Sequence, residues 1–268
     1  MTIRETIKKG MINLKTNGIE EPNLKARLLM QFILNKPRQY LLIYDNQTLS
    51  LRQEVNYFKA IKKIISGVPL QHITHMQEFM KMNFYVDENV LIPRSDTEIL
   101  VEEVINISKK IKAKKILDLC TGSGAIAISL AKYIENSEIT AVDISKKALE
   151  IARTNAKNND VENQITFVES DLFKNLKENK YDVIVLEDLA YFAMDFRKEL
   201  GTPFQPPYQS TVARYTDNYL LLISGSKAFS YAGQRIGVVV ISDKLYHRVY
   251  PGLTDRYGGG TFGSVFIH

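Results

Sequence analysis

The sequence predicts an α/β protein, with a helical N-terminal region followed by a doubly wound parallel sheet. Three observations carry that expectation. Apolar residues recur at three-to-four spacing through residues 2–66. From residue 114 onward, short apolar runs alternate with helical stretches, the pattern of a parallel sheet with crossover helices. A glycine-bearing turn follows the first of those runs. The 268 residues, 45% of them hydrophobic, allow one large or two modest domains.

The helical region shows its period in "LKARLLMQFIL" and "VNYFKAIKKIISG". Pro22 suits a helix start, Pro37 breaks a helix and Gly67 ends one, so a small helical bundle over residues 1–70 accounts for it. This stretch holds twelve Lys/Arg against five Asp/Glu, a local balance of +7 in a chain of net +5. Such a face suits an acidic partner, yet no Lys/Arg run with interleaved aromatics marks a nucleic-acid surface, and direct nucleic-acid binding is not expected.

Next, "MNFYVDENVLIPR" reads as two short strands around Asp87, Glu88 and Asn89. A helix over about 96–109 follows, with Ser95 or Asp96 as its N-cap. His72-x-x-His75 has no further Cys or His beside it and predicts no metal site. Then come strand "KKILDLC", helix "SGAIAISLAKYI", strand "EITAVDI", helix "SKKALEIARTNAKNN", and strands "ITFVESD" and "YDVIVLE". A single cysteine, Cys120, rules out an intrachain disulfide. No N-terminal apolar core resembles a signal peptide, and no run approaches the ~18 apolar residues that span a bilayer. The expected location is the cytoplasm, with no membrane partner.

The turn "DLCTGSGAIA" raises the question of a cofactor. Gly122 and Gly124 let the backbone turn tightly and approach a ligand at the mouth of a helix. Asp143, 25 residues after Asp118, ends the next strand, where a carboxylate can accept from both hydroxyls of a ribose. Gly122-x-Gly124-x-x-Ala127 also satisfies a dinucleotide fingerprint, a weak match when alone. Asp118 would repel a pyrophosphate but can face the cationic amino-acid end of S-adenosylmethionine. Asp171 closes the third strand, where it can accept from an adenine amino group. Three strand-end carboxylates therefore favour S-adenosylmethionine over NAD; the alternative without a ligand is that they only cap helices. The expected binding set is Asp118, Thr121, Gly122, Gly124, Asp143 and Asp171.

The motifs "GVPLQHI", "EF" at 78–79, "VLIPRSDTEILVE" and "ILDLCTGSGAIAISLA" resemble the protein-glutamine N5-methyltransferases of peptide chain release factors. The resemblance covers residues 1–185. It implies a helical substrate-recognition domain at 1–70 and a Rossmann-like class I methyltransferase domain from 71 to 185, with S-adenosylmethionine as methyl donor. The implied substrate is a glutamine in the Gly-Gly-Gln loop of a release factor. In that family the fourth strand runs into Asn-Pro-Pro-Tyr, whose Asn side chain and Pro carbonyl orient the substrate amide nitrogen. Here "YDVIV" is followed by Leu186-Glu187-Asp188-Leu189, so the catalytic set is unidentified and impaired transfer is expected. Gln205-Pro-Pro-Tyr208 lies 20 residues beyond Val185 in an irregular stretch and has Gln for Asn, so it is not expected to serve.

From residue 186 a different resemblance takes over. Asp188-x-x-Tyr191, then Ser224-x-x-Lys227, then Arg235 eight residues on, look like the pyridoxal-phosphate core of fold-type I aminotransferases. That would make Lys227 the Schiff-base lysine, Asp188 the pyridine-nitrogen partner, Tyr191 the phenolate partner, and Ser224 and Arg235 phosphate ligands. The upstream phosphate turn and the small domain of such enzymes are missing, so residues 186–268 form a segment of open fold. The runs "YLLLIS" and "IGVVVIS" are apolar enough to extend the sheet, but nothing in the sequence specifies that pairing. Three readings stand: a methyltransferase with a replaced C-terminal part, a pyridoxal-phosphate protein, and a joined chain without a function of its own. The join is placed at Val185–Leu186, inside one apparently uniform strand.

Overall fold

A computed structural model describes residues 1–176, 181–189, 219–224, 237–241 and 263–267. The chain divides into two compact units, the first comprising Met1–Gln77 with Val86–Glu88, the second Glu78–Tyr85 and the chain from Asn89.

The first unit is helical: α1 (Ile3–Thr16), α2 (Pro22–Leu34), α3 (Arg38–Ile43), α4 (Leu51–Ile65) and α5 (Leu70–Thr74). Capping boxes start α1, through Thr2 and Glu5, and α4, through Ser50 and Gln53, each satisfying two otherwise orphaned backbone donors. Pro22 occupies the first turn of α2, and Gly67 follows α4 with φ +94. Ile3, Leu14, Leu29, Met30, Tyr57 and Ile61 form the core. Gly10 is a packing residue inside α1: a Cβ there would lie 2.4 Å from Oη and 2.7 Å from Cε1 of Tyr57. That ring is fully buried, and its hydroxyl donates to the Ala26 carbonyl at 3.1 Å. Burial pushes the Tyr57 phenol well above its usual range.

The second unit opens with a hairpin, β1 (Gln77–Phe79) and β2 (Met82–Phe84), whose strands begin in the last residue of the first unit. This corrects the expected pair of strands around Asp87–Asn89: a turn does lie at Glu88–Asn89, but no strand follows it before residue 95. The reversal is at Met80–Lys81, both in the left-handed region with φ 49 and 61, the pairing that matches the twist of a two-residue hairpin. Neither residue favours that conformation. Side chains hold it instead: Glu98 Oε1 accepts the Met80 N–H at 2.7 Å and the Tyr133 hydroxyl donates to the Met80 carbonyl at 2.8 Å. Helix α6 (Ser95–Ile111) starts one residue earlier than expected, because the Arg94 carbonyl already accepts the Thr97 N–H at 3.0 Å; Arg94 is the N-cap.

The sheet runs β5-β4-β3-β6-β7-β8-β9, with β3 (Lys115–Leu119), β4 (Glu138–Asp143), β5 (Ile165–Glu169), β6 (Val183–Leu189), β7 (Tyr219–Ser224), β8 (Gly237–Ile241) and β9 (Gly263–Ile267). The first five strands pair in parallel, β8 pairs antiparallel with β7, and β9 antiparallel with β8. Helices α7 (Ala125–Tyr133) and α8 (Lys146–Asn158) are the crossovers from β3 to β4 and from β4 to β5. Asp182 fixes the entry of β6, its Oδ2 accepting the Lys114 and Lys115 amides at 2.9 and 3.1 Å. Ile116, Leu117, Ile139 and Ala141 are fully buried between the layers.

The expected strands "YLLLIS" and "IGVVVIS" do extend the sheet, as β7 and β8. The ladder is irregular within β6. Ile184 pairs with Leu117 and Tyr219, whereas Leu186 pairs with Asp118 and Leu220. Val185 is skipped on both sides, a one-residue bulge. The expectation of one uniform strand phase is thereby corrected.

Candidate cofactor site

The chain passes from β3 outward to β4 and β5, then returns to the other side of β3 as β6. Ligands bind in open parallel sheets where such a reversal occurs, beyond the carboxyl ends of the strands. Asp118, Asp143 and the turn 120–124 lie there.

The turn closes with Cys120, Gly122 and Gly124 at φ 57, 54 and 80. The Thr121 N–H donates to the Val142 carbonyl at 2.9 Å, tying the turn to β4, and the Gly124 N–H returns to the Thr121 carbonyl at 2.8 Å. The two glycines have different tasks. A Cβ on Gly124 would meet Ile128 Cδ1 at 2.9 Å and Ala152 Cβ at 3.0 Å, so Gly124 permits the close approach of α7 and α8. A Cβ on Gly122 would meet nothing nearer than the Cys120 carbonyl at 3.9 Å. Gly122 faces open space, as a backbone cradle for a ligand requires.

Asp143 organises the cradle. Its Oδ2 accepts the Gly122 N–H at 2.9 Å and its Oδ1 accepts the Ser145 N–H at 2.9 Å. Each oxygen keeps a lone pair for a ligand hydroxyl. Asp118 is only 1% exposed. Its Oδ2 accepts from Thr121 Oγ1 at 2.7 Å and from the Ala127 N–H at 3.1 Å. Its Oδ1 is buried without a hydrogen-bond partner among the described residues. Burial pushes the Asp118 carboxyl up to about 7; the bonds from Thr121 and Ala127 oppose the rise, and the nearby Asp143 charge adds to it. An orphaned, buried carboxylate oxygen beside a turn with open space fits a cationic ligand group.

Asp171 differs from expectation. Strand β5 ends at Glu169, and Asp171 lies two residues further in an exposed turn, ion-paired with Lys174. Two apolar neighbours went unremarked in the sequence: Ile144, 69% exposed directly after Asp143, and Leu172, 38% exposed directly after Asp171. They follow neighbouring strand ends, joined where the Ser170 N–H donates to the Asp143 carbonyl at 3.0 Å. Large apolar side chains left in water beside a row of carboxylates suit the faces of an aromatic base.

Of the second expected set, Asp188 lies in β6 opposite Leu222, and Ser224 ends β7. The sheet brings these positions to the carboxyl ends of adjacent parallel strands. Tyr191, Lys227, Arg235 and Gln205–Tyr208 lie outside the described residues. No group of three His, Cys, Asp or Glu suited to a metal occurs among the described residues, and no helix among them is long and apolar enough to cross a membrane.

Comparison with known proteins follows this division. Residues 5–74 match the PrmC N-terminal domain, residues 95–187 the methyltransferase small domain, and residues 171–257 the aminotransferase class I and II family. The release factor glutamine methyltransferase of Koribacter versatilis is 38% identical over 186 residues, covering 69% of this chain and 66% of that protein. That of Moorella thermoacetica is 36% identical over 185 residues, covering 69% and 65%. A bifunctional methyltransferase of Rickettsia bellii is 31% identical over 259 residues, covering 85% of this chain and 46% of the relative. The chain thus spans about half to two thirds of the length of these curated relatives. With a PrmC N-terminal domain followed by a methyltransferase small domain, the chain belongs to the release factor glutamine methyltransferase family.

Proposed function

We propose that this chain binds S-adenosylmethionine at the carboxyl ends of β3, β4 and β5 and directs its methyl group to the side-chain amide of a release-factor glutamine, with strongly reduced turnover. The observation that carries the binding reading is the pairing of an open Gly122 cradle with the orphaned Asp118 Oδ1 and the Asp143 carboxylate. Asp118 and the turn at Thr121, Gly122 and Gly124 receive the cationic amino-acid end. Asp143 accepts from the ribose hydroxyls. Ile144 and Leu172 flank the adenine, with Asp171 at its polar edge. When bound, the cofactor supplies an electrophilic methyl group on a sulfonium.

The reduced turnover follows from β6. A glutamine amide nitrogen is a weak nucleophile and must be oriented by acceptors for its two N–H bonds. The family motif offers an Asn side chain and a Pro carbonyl directly after the fourth strand. Here those positions are Leu186–Leu189, which continue as strand, paired to Asp118 and to β7. The basic helical unit, at +7 over residues 1–70, is the part that holds the release factor.

Calorimetry with S-adenosylmethionine tests the binding reading; the absence of heat at millimolar ligand overturns it. A methylation assay on a Gly-Gly-Gln peptide tests the second, with turnover expected at least ~100-fold below a family relative measured alongside. Equal turnover sinks the claim of impairment. A second reading, pyridoxal-phosphate binding through Lys227, is favoured by the aminotransferase match at 171–257 and by the position of Asp188 and Ser224 towards the carboxyl ends of the adjacent parallel strands β6 and β7. It predicts a yellow protein whose colour is lost in Lys227→Ala. A protein that stays colourless with excess cofactor leaves residues 186–268 as a joined segment with no cofactor role.

A further inference from the structure

Asn155 lies on α8 and is fully buried, at 0% exposure. A buried amide needs partners for two donors and an acceptor. Asn155 finds all of them on backbone. Its Oδ1 accepts the Tyr85 N–H at 2.7 Å, and its Nδ2 donates to the Tyr85 carbonyl at 3.0 Å and to the Ser123 carbonyl at 2.9 Å. Towards Tyr85 the side chain thus imitates a neighbouring strand. Its second proton goes to the turn, at the residue between Gly122 and Gly124. One side chain therefore fastens two backbone segments that are 38 residues apart in sequence.

We propose that Asn155 is a positioning residue that makes the cofactor turn and the chain at Tyr85 one element, so that a ligand seated on the turn also orders residues 83–85. This rests on the cofactor reading above. Without Asn155, its bonds to the Ser123 carbonyl and to the Tyr85 N–H and carbonyl are lost, and the two segments move independently. Asn159, the C-cap of α8, supplies the comparison. Its Nδ2 donates to the Asn83 carbonyl at 3.2 Å and to the Asn155 carbonyl at 2.9 Å, so it holds the hairpin without touching the turn.

The test is hydrogen exchange on the full chain with and without S-adenosylhomocysteine, together with its calorimetric Kd. In the parent chain the ligand should slow exchange at 122–124 and also at 83–85. In Asn155→Ser, ligand-free exchange at Tyr85 and at the turn should quicken together by about tenfold, Kd should rise about tenfold, and ligand protection at Tyr85 should vanish. Asn159→Ala should keep Kd within about twofold and keep that protection. An Asn155→Ser protein with the parent Kd and protection in both segments overturns the proposal. Should the parent chain bind no ligand, the cofactor reading fails, and ligand-free exchange still decides: quickening at Tyr85 alone counts against the coupling, quickening at both sites supports it. If Asn155→Ser does not fold, Asn155→Asp keeps the acceptor and removes both donated bonds. A turn that exchanges as slowly there as in the parent chain also refutes it.

Discussion

Gly122 donates its backbone N–H to Oδ2 of Asp143 at 2.9 Å, so the ligand-facing glycine of one strand end is held by the carboxylate of the next. The bond sets the turn before any ligand arrives, and the same carboxylate retains acceptor capacity. Asp143→Ala should therefore weaken S-adenosylmethionine at least about tenfold in calorimetry, because a ribose acceptor and the turn's anchor go together. An affinity within twofold of the parent would remove Asp143 from the site.

The two glycines should separate on substitution. Gly122→Ala meets open space and suffers only the left-handed strain at φ +54, about 1–2 kcal/mol, so its thermal midpoint falls modestly while cofactor affinity falls further. Gly124→Ala adds contacts of 2.9 and 3.0 Å with Ile128 and Ala152 to its strain at φ +80. It should lose roughly 1–3 kcal/mol more than Gly122→Ala in denaturant unfolding. Equal losses would contradict the division of labour.

The raised carboxyl of Asp118 has a signed consequence. Between the ordinary carboxylate range and about 7, the folded chain keeps a proton that the unfolded chain releases. Raising pH through that window therefore favours unfolding, and the penalty levels off above about 7. Compared with Asp118→Asn, the parent chain should lose stability by up to ~1.4 kcal/mol per pH unit between pH 5 and 7. Parallel stability curves for the two proteins would show that Asp118 does not titrate there. A cationic ligand favours the ionised form, so S-adenosylmethionine binding near pH 6 should release protons, measurable in buffers of different ionisation enthalpy.

Gly10→Ala brings two opposing effects into competition. Helix propensity favours alanine by about 1 kcal/mol. The new methyl, however, would overlap a Tyr57 ring that is buried and hydrogen-bonded to Ala26. Overpacking of that kind costs ~1–3 kcal/mol, so net destabilisation is expected on chemical denaturation. Adding Tyr57→Phe should recover part of the loss, because the hydroxyl is the nearest atom.

The skipped Val185 shows where local pattern stops informing. "YDVIV" and "LEDL" are both apolar strand formers, and a period-two pattern carries no mark of a one-residue slip. The slip appears only in the ladder, where Ile184 and Leu186 occupy successive partners on both β3 and β7. The hairpin misled for a related reason. Asp87–Asn89 has turn chemistry and Met80–Lys81 has none, but Glu98 and Tyr133 reach the Met80 backbone from 18 and 53 residues away. Asn155 carried no local signal at all, since an Asn in an amphipathic helix reads as a solvated position.

Periodicity, helix caps and strand-end carboxylates were legible in the chain because each depends on neighbours within a few residues. That is why the helical region, the four parallel strands and the positions of Asp118 and Asp143 follow from the sequence. The partners of those carboxylates depend on contacts between residues far apart. Folding alone placed the Ala127 N–H on Asp118, paired Gly122 with Asp143, and joined β7 to β6 and β8 to β7. Burial then did what no sequence pattern encodes: it left one oxygen of Asp118 unpartnered among the described residues and raised its carboxyl towards neutrality.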